Sequence, residues 1–195
     1  MLPQRINLIA YSTLAVIICY IDRVNISVAI IPMQEQFGWS DSQVGFIFSS
    51  FYLGYMLTMA LGGYLSDKFG GKRVLGWGVV LWSIFTILTP LAAHNGFFAL
   101  FFIRILMGIG EGVTFPAWHS LYARWIPFNE RTRAIAFTNS GVSIGTIIGY
   151  IGTQMIILAM GWEWAFYIFG IVGLVWFIFW NRNVTSYPNE HKRIS

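Results

Sequence analysis

The sequence predicts an all-α membrane protein of six transmembrane helices. Of the 195 residues, 56% are hydrophobic and only 10% are charged, whereas a soluble domain carries about 25% charged residues. The hydrophobic residues form six long runs, and a bilayer core of about 30 Å needs about 20 apolar residues per helix. Most Lys and Arg residues lie at the two termini and in every second turn between these runs. This distribution is expected when consecutive helices cross a membrane in opposite directions.

Short polar turns separate the six apolar runs. The runs lie at about 6–32, 43–66, 74–93, 97–122, 133–158 and 163–181. The first run is too long for a signal peptide and contains Asp22 and Arg23, so we assign it as the first transmembrane helix. We therefore expect one six-helix transmembrane domain over residues 1–182. Residues 183–195 are expected to begin a cytoplasmic linker between domains.

The positions of Lys and Arg predict the orientation of the helices. Ten of the twelve lie at the N-terminus, between helices 2 and 3, between helices 4 and 5, or at the C-terminus: Arg5, Lys68, Lys72, Arg73, Arg124, Arg131, Arg133, Arg182, Lys192 and Arg193. Because basic residues are enriched in cytoplasmic loops, both termini are expected in the cytoplasm and the protein in the cell membrane. This topology explains the net charge of +4 without nucleic-acid binding.

The sequence offers no chemistry typical of an enzyme. Its single cysteine, Cys19, lies inside an apolar run, so neither a disulfide framework nor a thiolate metal cluster is expected. No nucleotide-binding loop, metal-ligand cluster or nucleophile–base pair is visible. We therefore predict a non-enzymatic protein without a bound metal.

Four ionisable residues lie inside predicted helices: Asp22 and Arg23 on the first, Arg104 and Glu111 on the fourth. Each costs about 2.5–3.5 kcal/mol at a helix centre, so each should pair or face a wet cavity. Arg104 and Glu111 share one helix face about 10 Å apart, which leaves room for a bound anion, a water or a charge from another helix. One interpretation is a salt-bridge network that only joins helices 1 and 4.

The other interpretation is a transport site. Asp22 and Glu111 are candidate acids for cation coupling, and the guanidinium forks of Arg23 and Arg104 are candidate anion ligands. Helices 1 and 4 are each the first of a three-helix unit, and transporters with inverted three-helix repeats place such helices around a central cavity. On the fifth helix, Asn139 could bind substrate or bond to another helix.

Glycines recur on the fifth helix at four-residue spacing. They are Gly141, Gly145 and Gly149. Small residues at this spacing let a neighbouring helix approach closely, so we expect a tight helix contact here.

The turn between helices 2 and 3 has the sequence GYLSDKFGGKRV, residues 63–74. Its Asp67 can accept a hydrogen bond from a helix N-terminus or an Arg. The turn resembles the G-x-L-[AS]-D-[KR]-x-G-x-[KR]-[KR] signature of the major facilitator superfamily, which implies a conformational role for the matching residues. These are Gly63, Asp67, Lys68, Gly70, Lys72 and Arg73.

Three further segments are similar to the anion:cation symporter family: YIDRVNISVAIIPM, RILMGIGEGVTFPA and WIPFNERTRA, at residues 20–33, 104–117 and 125–134. The resemblance implies secondary transport of phosphate, an organic anion or a sugar acid, coupled to H⁺ or Na⁺ and needing no other cofactor. It also implies that Asp22 and Glu111 couple the cation and that Arg23 and Arg104 contact the anion. Tyr55 would lie in the substrate cavity.

Members of that family have twelve helices in two halves, and this chain resembles the N-terminal half. The expected partners are therefore a small anionic solute, the lipid bilayer, and a C-terminal half or second six-helix unit. The alternative is a membrane half that serves only as an assembly or interaction partner and transports nothing. A channel is less favoured, because one buried cluster of acids and arginines suits alternating access better than a continuous pore.

Overall fold

A computed structural model of the protein describes residues 2–187, and these residues form helices joined by short turns. The helices are α1 Leu2–Phe37, α2 Asp41–Phe69, α3 Gly71–His94, α4 Phe97–Gly112, α5 Thr114–Trp125, α6 Phe128–Met160 and α7 Trp162–Asn183. Six of the resulting spans are long and apolar enough to cross a membrane, with α4 and α5 together forming the fourth span, Phe97–Trp125. The prediction of six transmembrane helices is confirmed. Each helix extends a few residues beyond its predicted apolar run, because polar residues continue the helix at its ends.

The fourth span is interrupted at Val113, two residues after the buried Glu111. Pro116 lies at the third position of α5, and its ring nitrogen has no hydrogen to donate to the carbonyl of Gly112 four residues earlier. Val113 keeps near-helical angles, φ −78° and ψ −11°. The two segments therefore act as one span with a local break next to the charged centre.

The turn between α2 and α3 is a single residue, Gly70. Its φ of 86° lies in the region that strongly favours glycine. A Cβ at this position would also lie 2.7 Å from the Ser186 hydroxyl oxygen. The tight turn keeps the signature residues on either side of Gly70 close to the segment that follows α7.

The helix contacts follow an internal symmetry. The most extensive pairs are α1 with α6 and α2 with α4, and α3 packs against α7. When spans 1, 2 and 3 are exchanged for spans 4, 5 and 6, the contact of α1 with α6 becomes the contact of α4 with α2. The contact of α3 with α7 is exchanged with itself. Because consecutive spans run in opposite directions, the first and fourth spans are antiparallel, and the two three-span units form an inverted repeat.

Glycines mediate both of the extensive contacts. On α6, a Cβ at Gly145 would lie 2.5 Å from the Ile17 carbonyl oxygen of α1, and Gly141 and Gly149 face Thr13 and Ile21 of the same helix. The predicted close approach is thus confirmed, with α1 as the partner. In the contact between α2 and α4, both helices contribute glycines. This contact brings the backbone of α2 against the face of α4 that carries its charged residues.

Candidate functional site

The four intramembrane charges are all largely buried in the bundle. Asp22 and Glu111 are fully buried, Arg104 is 2% exposed, and the side chain of Arg23 is 17% exposed. They come from the middle of α1 and from the first two thirds of the fourth span, Phe97–Trp125. The expectation that none of them faces lipid is consistent with this burial.

Arg23 and Glu111 form an ion pair between α1 and α4. The Nη2 and Nε atoms of Arg23 donate to the same carboxylate oxygen, Oε2 of Glu111, at 2.9 and 3.2 Å. The thiol of Cys19 donates to that oxygen as well, at 3.3 Å. The other oxygen, Oε1, is buried and has no hydrogen-bond partner among the described residues. Among the described residues, only one of the two carboxylate oxygens of Glu111 is therefore hydrogen-bonded.

Arg104 has a different environment. Its Nη1 atom lies 3.2 Å from the Met107 sulfur, a weak acceptor, and its Nε atom has no partner within residues 2–187. None of the ion pairs in this part of the chain includes Arg104. A buried cation without a carboxylate or other strong acceptor is costly in a dry interior. This guanidinium has capacity to bind an anion.

The ring of Phe51 on α2 contacts both arginines. The guanidinium carbon of Arg23 lies 5.1 Å and that of Arg104 5.0 Å from the ring centroid. These distances are in the range of cation–π attraction. The two positive groups therefore share one aromatic neighbour. Their guanidinium carbons lie no farther apart than the sum of those two distances.

Two tyrosines complete the aromatic surround of Arg23. The centroids of Tyr20 and Tyr55 lie 4.9 and 4.8 Å from its guanidinium carbon. Tyr55, a predicted cavity residue, is thus next to a predicted anion ligand. The prediction missed Tyr20 and Phe51; their only sequence signal is helical spacing, three residues before Arg23 and four before Tyr55.

Asp22 lies on another face of α1 and bonds to α3. The indole N–H of Trp82 donates to its Oδ2 at 3.1 Å, while Oδ1 and both amide atoms of the buried Asn25 have no partner among the described residues. Adjacent positions of a helix point about 100° apart, and Asp22 and Arg23 accordingly contact different helices. Trp82 was not predicted, because an indole in an apolar helix carries no sequence signal for a polar bond.

Asn139 occupies an exposed position on α6. Its side chain makes no hydrogen bond to the described residues, whereas the neighbouring Thr138 is buried and bonds to Tyr122 and Thr13. The structure therefore does not connect Asn139 to the arginine centre, and its predicted substrate contact stays a prediction.

The glycine-rich turn connects α2 with α5. The carboxylate of Asp67 accepts from Arg124 at 3.1 Å and from the Ser120 hydroxyl at 3.3 Å. The expected arginine partner is thus Arg124. Gly63 faces open space, and the Lys68 ammonium lies near the rings of Tyr64 and Phe69.

The same turn also connects α3 with α7. The Lys72 ammonium donates to the Asn181 carbonyl at 2.9 Å, and the Trp180 indole donates to the Lys72 carbonyl at 3.0 Å. Arg73 is exposed. Within the described residues there is no group of three or more His, Cys, Asp or Glu that could hold a metal ion.

Comparison with known proteins gives consistent matches. The sequence pattern of the Major Facilitator Superfamily matches residues 12–194. The chain is 46% identical to "Probable anion transporter 4, chloroplastic" of Oryza sativa subsp. japonica, over 99% of this chain and 33% of that protein. It is 44% identical to "Ascorbate transporter, chloroplastic" of Arabidopsis thaliana, over 99% and 36%.

A third relative is "Sodium-dependent phosphate transport protein 1, chloroplastic" of Arabidopsis thaliana, at 44% identity over 96% of this chain and 37% of that protein. The chain thus spans about a third of the length of these curated relatives.

Solved structures have the same fold. A bacterial homologue of the human lysosomal transporter Spinster, inward-facing and unoccupied, superposes with a TM-score of 0.81 at 25% identity, covering 95% of this chain and 44% of that one. A D-xylose–proton symporter superposes with a TM-score of 0.80 at 20% identity, covering 93% and 48%.

Proposed function

Because the chain belongs to the Major Facilitator Superfamily, we propose that its six spans are half of a secondary transporter that moves a small anion across a membrane. The relatives named above are called anion, ascorbate and phosphate transporters, which supports an anionic substrate. In this proposal the chain works with a second six-helix unit, and the substrate lies between the two.

The observation that carries the proposal is the environment of Arg104. Its guanidinium is 2% exposed and has no carboxylate partner among the described residues. A structural arginine in a dry interior needs such a partner, since an unpaired buried charge is strongly destabilising. An anion such as phosphate or a carboxylate would supply it, with two parallel hydrogen bonds from the guanidinium fork.

Arg23 would be the second ligand for the anion. It lies at the same Phe51 ring as Arg104 but is occupied by Glu111. Protonation of Glu111 would remove the negative charge that holds Arg23, and Arg23 could then turn to the substrate. In this scheme one proton enters with one anion, so Glu111 couples the two movements.

Asp22 is the second proposed coupling acid. One of its oxygens accepts from Trp82 and the other has no described partner. An oxygen without a donor can take up a proton or contribute to a Na⁺ site, so the coupling ion in this proposal is H⁺ or Na⁺. No other cofactor is needed.

Transport assays test the anion site. The complete transporter should be reconstituted in vesicles and offered labelled phosphate, ascorbate and sugar acids, with the variant Arg104→Lys in parallel. Lys keeps the charge but loses the bidentate fork, so uptake of the transported anion should fall strongly while the amount of folded protein stays similar. Wild-type uptake by Arg104→Lys would leave Arg104 with a structural role.

We further propose that the basic turns face the cytoplasm and that the protein lies in the cell membrane. A cysteine replacing the exposed Asn95 should then react with an impermeant thiol reagent added outside intact cells, and one replacing the exposed Lys68 should not. The native Cys19 is fully buried and should not contribute. Labelling of the Lys68→Cys variant but not of the Asn95→Cys variant would show that the topology is the reverse of the one proposed.

A further inference from the structure

An apolar groove runs along the outside of the bundle between α2, α3 and α4. Its volume is about 620 Å³, and its apolar lining includes Leu65, Phe69, Trp77, Leu81, Ile84 and Ile109. It forms because α2 packs mainly on α4 while α3 packs mainly on α4 and α7. The two helices therefore diverge on either side of α4 after the Gly70 turn.

The groove has the length of one membrane leaflet. On α3 its lining extends from Arg73 to Ile84, which corresponds to about 16 Å at the helical rise per residue. Half of a bilayer core is about 15 Å. A single acyl chain entering at the basic end would therefore reach the membrane midplane within the groove.

A polar cavity continues the groove at the basic end of the bundle. This cavity has a volume of about 380 Å³ and shares Phe69, Arg73 and Trp77 with the groove. The side chain of Arg73 makes no hydrogen bond or ion pair with another residue of the 2–187 segment, unlike that of Lys72, which donates to the Asn181 carbonyl. An unpaired guanidinium thus lies where the apolar and polar surfaces meet.

The position of Trp77 supports a lipid as the occupant. Its side chain is 64% exposed and lines both cavities. Exposed indoles are enriched at the headgroup level of membranes, where one side of the ring is apolar and the N–H is wet. The groove below Trp77 is then at acyl-chain depth and Arg73 at phosphate depth.

We propose that this groove binds an anionic phospholipid, with one acyl chain between α2, α3 and α4 and the phosphate at Arg73. The apolar lining matches the chain, and the unpaired cation matches the headgroup charge, as in other basic pockets between membrane helices. The site lies on a different side of α4 from the arginine centre and does not depend on the transport proposal.

Lipid retention by the full-length protein in mild detergent tests the site. The protein is equilibrated with equal amounts of phosphatidylglycerol and phosphatidylcholine of identical acyl chains, and the bound lipids are counted by native mass spectrometry. Wild type should retain phosphatidylglycerol preferentially. Arg73→Gln should reduce this preference about fivefold, which corresponds to about 1 kcal/mol for one basic residue near a membrane.

Matched controls separate this site from general attraction. Arg182→Gln removes the same charge from an exposed position outside both cavities and should leave the preference unchanged. Leu81→Trp should fill the groove and reduce binding of the lipid, whereas Ile178→Trp, on an exposed part of α7, should not. Equal retention of both lipids by wild type, equal effects of Arg73→Gln and Arg182→Gln, or unchanged binding by Leu81→Trp would overturn the proposal.

Discussion

The two buried arginines occupy related places in the molecule but have different partners. Arg23 lies on α1 and Arg104 on α4, the first spans of the two inverted units, and both contact the ring of Phe51. Arg23 is paired with Glu111 at 2.9 Å, whereas the best acceptor of Arg104 within the described residues is the Met107 sulfur. One carboxylate therefore separates a paired cation from one that has no carboxylate partner among the described residues.

The difference also shows why residue type alone does not assign a role. Glu111 is on the same helix as Arg104 but bonds to the arginine of the other helix. Arg23 keeps some exposure, so solvent can share its charge, and Arg104 is almost completely dry. The arginine with fewer partners is thus also the one with less water, which makes it the stronger candidate for ligand binding.

The largest expected effect is loss of stability when the ion pair is broken. Arg23→Met in the complete transporter should lower the free energy of unfolding by about 3–5 kcal/mol, because Glu111 is left buried without its cation. Thermal unfolding in detergent measures this. Adding Glu111→Gln to the same variant should restore most of the loss, and a double variant as unstable as the single one would contradict the pairing.

The same substitution at the other arginine should change the free energy of unfolding in the opposite direction. Without bound anion, Arg104→Met should raise the free energy of unfolding by about 1 kcal/mol or more, since it replaces an unpaired buried charge by an apolar side chain. Transport should nevertheless be lost. A destabilisation of Arg104→Met as large as that of Arg23→Met would show that Arg104 has a structural partner, and the comparison between the two arginines would fail.

Phe51 should affect anion binding more than its packing predicts. Phe51→Leu removes the ring shared by both guanidiniums and should weaken anion affinity by about 1 kcal/mol, roughly fivefold. Phe166 is an equally buried phenylalanine in a separate apolar cluster, so Phe166→Leu controls for lost packing. Uptake titrations with the transported anion should show a higher KM for Phe51→Leu alone; equal KM values in the two variants would assign Phe51 to packing.

The smallest stability effect is expected at the exposed ion pair of the glycine-rich turn. The carboxylate side chain of Asp67 is 75% exposed, and its bond to Arg124 is 3.1 Å long. Solvent screens such pairs, so Asp67→Asn should change the free energy of unfolding by only about 0.2–1 kcal/mol. Thermal unfolding of Asp67→Asn and Arg23→Met under the same conditions compares the two losses directly. A loss comparable to that of Arg23→Met would mean that the turn is buried in the assembled transporter.

The sequence alone determined the class of the protein and the helices that carry its charges. Apolar runs near 20 residues predict membrane spans whatever their neighbours are, because the bilayer and not the tertiary structure selects for them. The membership of the superfamily is confirmed, and the transporter function expected with it stays a proposal. Helical periodicity was also sufficient to separate the faces of Asp22 and Arg23 and to predict the close contact of the α6 glycines.

Only the tertiary structure decided which groups meet across helices. The rotation of each helix about its axis depends on packing with its neighbours, and that rotation selected Glu111 for Arg23, Trp82 for Asp22 and Phe51 for both arginines. It also placed Asn139 on an exposed face without a bond to the centre. Periodicity specifies the face of a helix on which a residue lies, but the partner depends on which helix packs against that face and at what height.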